Sequence, residues 1–97
     1  MRKTIYSRQH DVLLSLLLEA RQGSAITQVE LAHLLGVTQS EVSKVERGER
    51  LLDVLQLRAW VNALGLPISV FVEVLDERLD THKSLDGLGR LLLGSSS

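Results

Sequence analysis

The sequence predicts an all-α domain, and three observations favour this fold class. Apolar residues make up 44% of the 97 residues but aromatic residues only 3%, so the core has to be built from aliphatic side chains. The pattern Thr-Gln-x-Glu, which is typical of the first turn of a helix, occurs at residues 27–30 and again at residues 38–41. Glycine and proline are confined to a few boundaries, so long stretches remain for helices.

A first helix is predicted from Ser7, or a neighbour that can cap it, to about Gln22. Its core-facing residues recur at helical spacing and are Leu13, Leu16, Leu17 and Ala20. Val12, Leu14 and Leu18 widen the apolar stripe beyond one face, which indicates a second buried surface such as a partner protein. Residues 1–6 are interpreted as a frayed end, with an arm that reaches DNA as the alternative.

Residues 27–48 predict two short helices joined by a tight turn. In each Thr-Gln-x-Glu box, the threonine hydroxyl accepts from an N–H of the first turn, and the glutamate accepts from the threonine N–H. The second helix is expected over Gln28–Leu35 and the third over residues 39 to about 47. Gly36 and Gly48 follow these helices, where a chain can continue with positive φ. Helix, glycine turn and helix form the helix-turn-helix arrangement.

A fourth helix is predicted over Val54–Leu64. Asp53 can cap it, with Gln56 three residues further on as the second half of a capping box. Trp60, the single tryptophan, is interpreted as a packing residue rather than a ligand contact.

Residues 66–79 support two interpretations. Alternating apolar residues indicate a strand; these are Ile68, Val70, Val72 and Val74. Apolar residues at helical spacing indicate a helix; these are Phe71, Val72, Leu75 and Leu79. We choose a helix, with a β-strand exchanged between subunits over residues 68–76 as the alternative. In both cases the apolar surface exceeds what a small monomer buries, which predicts self-association.

The composition excludes several classes of function. Without cysteine there is no disulfide, thiolate nucleophile or cysteine-ligated zinc. The three histidines have no metal-binding spacing, and there is no glycine-rich phosphate loop. No apolar run approaches the ~20 residues that span a bilayer. We therefore expect a cytoplasmic protein that is not an enzyme, holds no cofactor or metal, and does not enter a membrane.

Charge alone does not favour a nucleic-acid ligand, since the net charge is −1. Residues 1–65 carry eight lysines and arginines against seven acids, and residues 66–97 carry three against five. The acidic excess therefore lies outside the helix-turn-helix, and the distribution of charge matters more than its sum. We interpret the helix-turn-helix motif as stronger evidence for a nucleic-acid ligand than the net charge is against one.

Several residues of this region match a known motif: Thr27-Gln28, Leu31-Ala32, Leu35-Gly36, Gln39, Val42-Ser43, Glu46 and Gly48. Through them, residues 13–79 resemble the phage repressor/Cro-type helix-turn-helix domain, the XRE family. The resemblance implies a five-helix lambda-repressor-like fold with its fifth helix at residues 66–79. It also implies an Arg21–Glu46 ion pair between the first and third helices, and a third helix that enters the major groove of double-stranded DNA.

The resemblance and side-chain chemistry together assign the DNA contacts. Glutamine can bond an adenine edge twice, serine serves a donor or an acceptor, and lysine reads guanine or a phosphate. The candidates for base contact are Gln39, Ser40, Ser43 and Lys44. The candidates for phosphate contact, which fix the register of the protein on DNA, are Thr27 through its N–H, Gln28, Arg47 and Arg50.

Three functions remain open. The favoured one is a sequence-specific transcriptional regulator, a repressor that binds palindromic operators as a homodimer. Its interface is assigned to Phe71, Val72, Leu75 and Leu79. The second is an antitoxin that binds a toxin protein and represses its own operon, and the third is a scaffold for protein–protein contact only. The domain is expected to span residues 1–79, with a dimerisation element at 66–79 and a flexible tail at 80–97.

Overall fold

Five α-helices follow one another in the computed structural model, which describes residues 5–82 and the side chains of residues 7–80. They are α1 (Ile5–Gly23), α2 (Gln28–Leu35), α3 (Gln39–Glu46), α4 (Val54–Ala63) and α5 (Ile68–His82). No strand occurs between residues 5 and 82. The all-α, five-helix prediction is therefore confirmed, and the alternative of an exchanged strand at residues 68–76 is wrong.

The ends of the outer helices differ from the prediction. α1 begins at Ile5, ahead of the expected Ser7. α5 continues to His82, so residues 80–82 of the predicted flexible tail are helical. The rest of that tail, residues 83–97, lies outside the described residues, as do residues 1–4 of the predicted arm.

Reciprocal capping boxes fix the starts of α2 and α4. Thr27 Oγ1 accepts from the Glu30 N–H at 3.0 Å, and Glu30 Oε1 accepts from the Thr27 N–H at 2.8 Å. Asp53 and Gln56 make the same exchange, at 2.7 and 2.9 Å. Each box satisfies N–H groups that have no partner within the helix, so both starts are set by local sequence.

The box predicted at the start of α3 is only half formed. Thr38 Oγ1 accepts from the Glu41 N–H at 3.1 Å, but the Glu41 carboxylate does not return a bond to Thr38. It lies instead 3.8 Å from Arg50 Nη1. A tertiary partner has therefore replaced the local one, which corrects the prediction of two equivalent boxes.

Two glycines shape the ends of α2 and α3. Gly36 has φ 71° and ψ 31°, a left-handed conformation that a residue without Cβ adopts freely. Its N–H and that of Val37 donate back to carbonyls of the last turn of α2. Gly48 follows α3 with φ 80°, and a Cβ there would lie 2.9 Å from Leu14 Cδ1. The chain can therefore turn sharply into α3 and pass close to α1 after it.

The core lies where the inner faces of the helices meet. Its buried residues are Leu16, Leu17, Leu31, Ala32, Val42, Val45, Trp60, Val61, Leu64 and Phe71. Trp60 packs in this core, as predicted. Phe71 was assigned to the dimer interface, but it is only 2% exposed. That assignment is corrected, because the ring already fills the core of its own chain.

The wide apolar stripe of α1 is covered largely by the chain itself. Val12 is buried, and Leu14 and Leu18 are half-buried, since α1 packs against both α3 and α5. Arg78 and Glu19 tie α5 to α1 by two hydrogen bonds of 2.6 and 2.8 Å. The second apolar surface expected on the first helix is therefore not exposed on the described part of α1.

Between residues 5 and 82 no single helix is long and apolar enough to cross a membrane. α4 taken together with residues 68–80 of α5 has the length and composition of a span, but the two are bent by 107°.

Candidate nucleic-acid interface

A series of hydrogen-bonded side chains runs from the end of α1 to the start of α3. Arg21 donates to Glu46 from Nε to Oε2 at 2.6 Å and from Nη2 to Oε1 at 3.2 Å. Glu46 Oε1 also accepts from Gln28 Nε2 at 2.8 Å. Gln28 Oε1 in turn accepts from Gln39 Nε2 at 2.6 Å. These four residues are named the Arg21–Gln39 network.

The network is anchored at its Arg21 end. The side chains of Arg21 and Glu46 are only 13% and 8% exposed, and Arg21 Nη1 also donates to the Ile26 carbonyl at 2.9 Å. Partial burial strengthens these bonds, and the planar guanidinium fixes the carboxylate through two of them. The ion pair implied by the resemblance is thus present, and through Gln28 it also orients Gln39.

α3 presents polar side chains to solvent. Gln39, Ser40 and Lys44 are exposed, and Ser43 is half-buried. Gln39 uses one amide hydrogen in the network, so its carbonyl oxygen and second amide hydrogen remain available. The Lys44 side chain is hydrogen-bonded to no other residue in the described part of the chain. The four residues predicted to contact bases therefore lie together on one helix, free enough to meet a ligand.

Arg47 is engaged by neighbouring side chains. It donates to Glu49 from Nε at 2.7 Å and from Nη2 at 3.3 Å, and its Nη1 donates to Ser43. The hydrogen bonds to Glu49 raise the pKa of Arg47, and the same bonds lower the pKa of Glu49. Both side chains are 54% exposed, so a phosphate can replace the carboxylate at small cost.

Glu49 has a role at this site that sequence reasoning missed. The only signal was an acid two residues after a predicted phosphate contact. Such a pair lies beyond the end of α3, where no helical spacing predicts which side chains meet. Glu49 therefore offsets the charge of Arg47 in the free protein and leaves Lys44 as the cation of the last turn of α3.

The predicted phosphate contacts at the start of α2 need one correction. The Thr27 N–H was expected to meet a DNA phosphate, but it donates to Glu30 because the capping box closes. The hydroxyl hydrogen of Thr27 remains for such a contact. The Gln28 amide oxygen and nitrogen are both bonded in the network. A phosphate at this helix end would therefore meet the backbone N–H groups of the first turn, which have no helical acceptor.

No group of three or more histidine, aspartate or glutamate side chains is placed to hold a metal ion in the region that the structure describes. The geometry there consists of hydrogen-bond donors, hydrogen-bond acceptors and a few cations on the surface of α3 and its flanks.

A sequence profile of the helix-turn-helix family HTH_3 matches residues 17–71. No curated protein sequence matches the chain. Among solved structures, the clp gene regulator ClgR from Corynebacterium glutamicum is similar, with a TM-score of 0.67 and 23% sequence identity. The alignment covers 90% of this chain and 93% of that one, and at this identity it shows the fold alone. The profile spans more than half of the sequence, so the chain belongs to the XRE-type helix-turn-helix family of DNA-binding regulators.

Proposed function

We propose that this protein is a sequence-specific transcriptional repressor that binds palindromic operators as a homodimer. The observation that supports this most is the Arg21–Gln39 network, which leads from a partly buried ion pair to an exposed glutamine. If this face of α3 contacted only solvent, a fixed orientation of Gln39 would serve no purpose. A side chain that is already oriented loses less conformational entropy when it binds a base.

The free groups of Gln39 suit an adenine edge. Its second amide hydrogen can be donated to N7 while its carbonyl oxygen accepts from N6. Ser40, Ser43 and Lys44 follow on the same helix, and we assign the remaining base contacts to them. A good two-bond contact discriminates against the wrong base by about 1–3 kcal/mol.

Phosphate contacts are assigned to the start of α2, at Thr27 and Gln28, and to Arg47 and Arg50. In the free protein each arginine has a carboxylate nearby, at 2.7 Å for Arg47 and 3.8 Å for Arg50. Binding to DNA therefore exchanges a carboxylate for a phosphate. The free energy gained by the phosphate contact is therefore smaller than for an unpaired cation. This keeps the sequence-independent affinity for DNA low.

The homodimer is assigned to a shallow groove on α5 lined by Ser69, Val72, Glu73, Leu75, Asp76 and Leu79. Val72 is 44% exposed, and Leu75 and Leu79 are half-buried. Three of the four predicted interface residues thus line one groove, and only Phe71 does not. A two-fold axis at this groove would present two α3 helices to half-sites about one helical turn apart, ~34 Å.

Selection of bound duplexes from a random DNA pool tests the proposal. We expect enrichment of an inverted repeat whose half-sites lie about 10 base pairs apart, and a gel shift with the DNA upstream of the protein's own gene. If the folded protein enriches no sequence over the starting pool, the DNA-reading function is wrong. If it enriches a single half-site, the palindrome and the dimer on DNA are wrong.

A second candidate function, the antitoxin, is favoured by an apolar patch at the start of α4. Leu51, Val54 and Leu55 are 66%, 71% and 77% exposed, and clustered exposed apolar side chains often mark a protein interface. Co-expression with the product of the adjacent gene would then yield a complex of fixed ratio. A scaffold that contacts only proteins would instead give no enrichment in the DNA selection.

A further inference from the structure

A cavity of about 180 Å³ lies beside α3, between the turn that precedes it and α4. Its apolar wall includes Val37, Leu52 and Trp60, and its polar groups are Glu41, Arg50 and Gln56. At ~30 Å³ for each water molecule, the space equals about six waters or one small organic molecule. It is smaller than a site for a drug-sized ligand, which takes roughly 300–1,000 Å³.

Hydrogen-bond donors around this cavity lack acceptors. The Arg50 side chain is 52% exposed, makes no hydrogen bond within the described residues, and lies 3.8 Å from the Glu41 carboxylate. The Gln56 amide oxygen accepts from the Asp53 N–H, which leaves the Gln56 NH₂ group free. Trp60 is 4% exposed, and its Nε1 has no acceptor in the described part of the chain. A buried N–H without an acceptor is uncommon. Among the polar side chains of the wall, the donors of Arg50, Gln56 and Trp60 outnumber the free acceptors, which are the two oxygens of Glu41.

We propose that this cavity is a binding site for a small monocarboxylate with a short apolar body. The carboxylate would accept from the Arg50 guanidinium, in the two-bond geometry that arginine favours, and from the Gln56 amide. The apolar body would pack against Val37, Leu52 and Trp60. A carboxylate adds acceptors to a wall in which donors are in excess, whereas an amine could pair only with Glu41 and would add further donors.

Occupancy of the cavity affects DNA binding, and this step rests on the proposed function. Arg50 is assigned to a DNA phosphate, so the ligand and the phosphate compete for one guanidinium. Loss of one phosphate contact reduces the dependence of log K on log salt concentration by about one. The ligand therefore weakens binding to all DNA sequences alike.

Trp60 fluorescence reports occupancy in the full chain without DNA, because this is the only tryptophan. Titration with butanoate, hexanoate and octanoate should give a saturable change. The corresponding primary alcohols should bind about tenfold more weakly, since they lack the charge-assisted bonds. Equal binding of acids and alcohols, or no saturable change with any acid, overturns the proposal.

Four variants sharpen this test. Arg50→Gln should weaken carboxylate binding about tenfold, and Glu41→Gln should tighten it because Arg50 loses its competing partner. Ala59→Leu adds bulk at a residue that lines the cavity and should abolish binding while helix content stays unchanged. Arg58→Gln removes an exposed arginine of α4 that does not line the cavity and should have no effect. If Arg58→Gln weakens binding as much as Arg50→Gln, the assigned anchor is wrong.

The effect on DNA is measured separately, as the salt dependence of DNA affinity with and without saturating carboxylate. A salt slope reduced by about one supports the competition for Arg50. If the carboxylates bind but the slope is unchanged, the coupling is wrong and the site stands.

Discussion

At the scale of single residues, Gln28 joins a partly buried ion pair to the side chain that we propose reads DNA. Its amide donates to Glu46 and accepts from Gln39, so it transmits the position of a partly buried ion pair to an exposed side chain. The Arg21–Glu46 pair could be predicted through the family resemblance. The amide bonds could not, because Gln28 and Gln39 meet only after the turn at Gly36 has placed α3 beside α2.

The double variant Arg21→Met with Glu46→Met should separate these two roles. Arg21→Met alone leaves Glu46 partly buried without its cation and should lower the free energy of unfolding by about 3–5 kcal/mol. The double variant should recover most of that loss, as apolar pairs of similar volume do. Urea unfolding followed by Trp60 fluorescence measures both.

The same double variant should lose base preference at the position read by Gln39, because Gln28 is no longer held by Glu46. The measurement is a repeat of the DNA selection with the folded double variant. An unchanged preference would show that Gln39 is positioned by α3 alone and that the network serves only the fold.

Glu49→Gln should raise the affinity for DNA of any sequence, because Arg47 loses its carboxylate partner. The salt slope should steepen by up to about one. Glu19→Gln is the matched control, since it also frees an arginine, Arg78, from a two-bond pair, but away from α3. Equal effects of the two variants would mean that net charge, rather than the release of Arg47, governs the affinity.

At the scale of elements, the helix starts show what local sequence can determine. The boxes at Thr27 and Asp53 form as predicted because all their atoms lie within four residues. The identical pattern at residues 38–41 is only half formed, since Arg50, which lies beyond the end of α3, offers Glu41 a different neighbour. Short-range patterns therefore predicted the helices correctly. The partner of a side chain that can bond to more than one group could not be predicted from the sequence.

The closed capping box at Thr27 predicts that the effect of Glu30→Gln on stability depends on pH. The hydrogen bond from the Thr27 backbone N–H is the main cause that lowers the pKa of Glu30. The ionised carboxylate therefore stabilises the folded state above the unfolded-state pKa, and this stabilisation is lost as the pH falls through the lower folded-state pKa.

Glutamine keeps a capping hydrogen bond but cannot ionise. The stability difference between the wild type and Glu30→Gln should thus be present at neutral pH and vanish in acid. Chemical unfolding across this range measures it. A stability difference that stays the same in acid would contradict the role assigned to the ionised Glu30 carboxylate.

At the scale of the whole molecule, the packing of α5 determines which of its apolar residues stay exposed. Only these residues are available to a second copy of the chain in the proposed dimer. Periodicity predicted an apolar α5 but could not distinguish its inner face, because apolar residues lie on more than one side. The structure buries Phe71 and leaves Val72 exposed. This choice depends on how α5 packs against α1 and α4, which no local pattern contains.

Val72→Asp should convert the proposed dimer to a monomer, because a charge would enter the centre of the α5 groove. Val70→Asp is the control, since Val70 is 45% exposed against 44% for Val72 but does not line the groove. Sedimentation equilibrium should show a monomer for the first variant and the wild-type state for the second. A dimer that survives Val72→Asp would place the interface elsewhere.

In the proposed function, the exposed polar face of α3 contacts base edges, and Gln39 is the side chain that the network orients for this contact. The most direct measurement compares wild type and Gln39→Ala on the selected operator and on every single-base-pair variant of it. We predict a loss of about 1–3 kcal/mol on the operator that disappears when one particular base pair is changed. Equal weakening on all of these DNA sequences would contradict the claim.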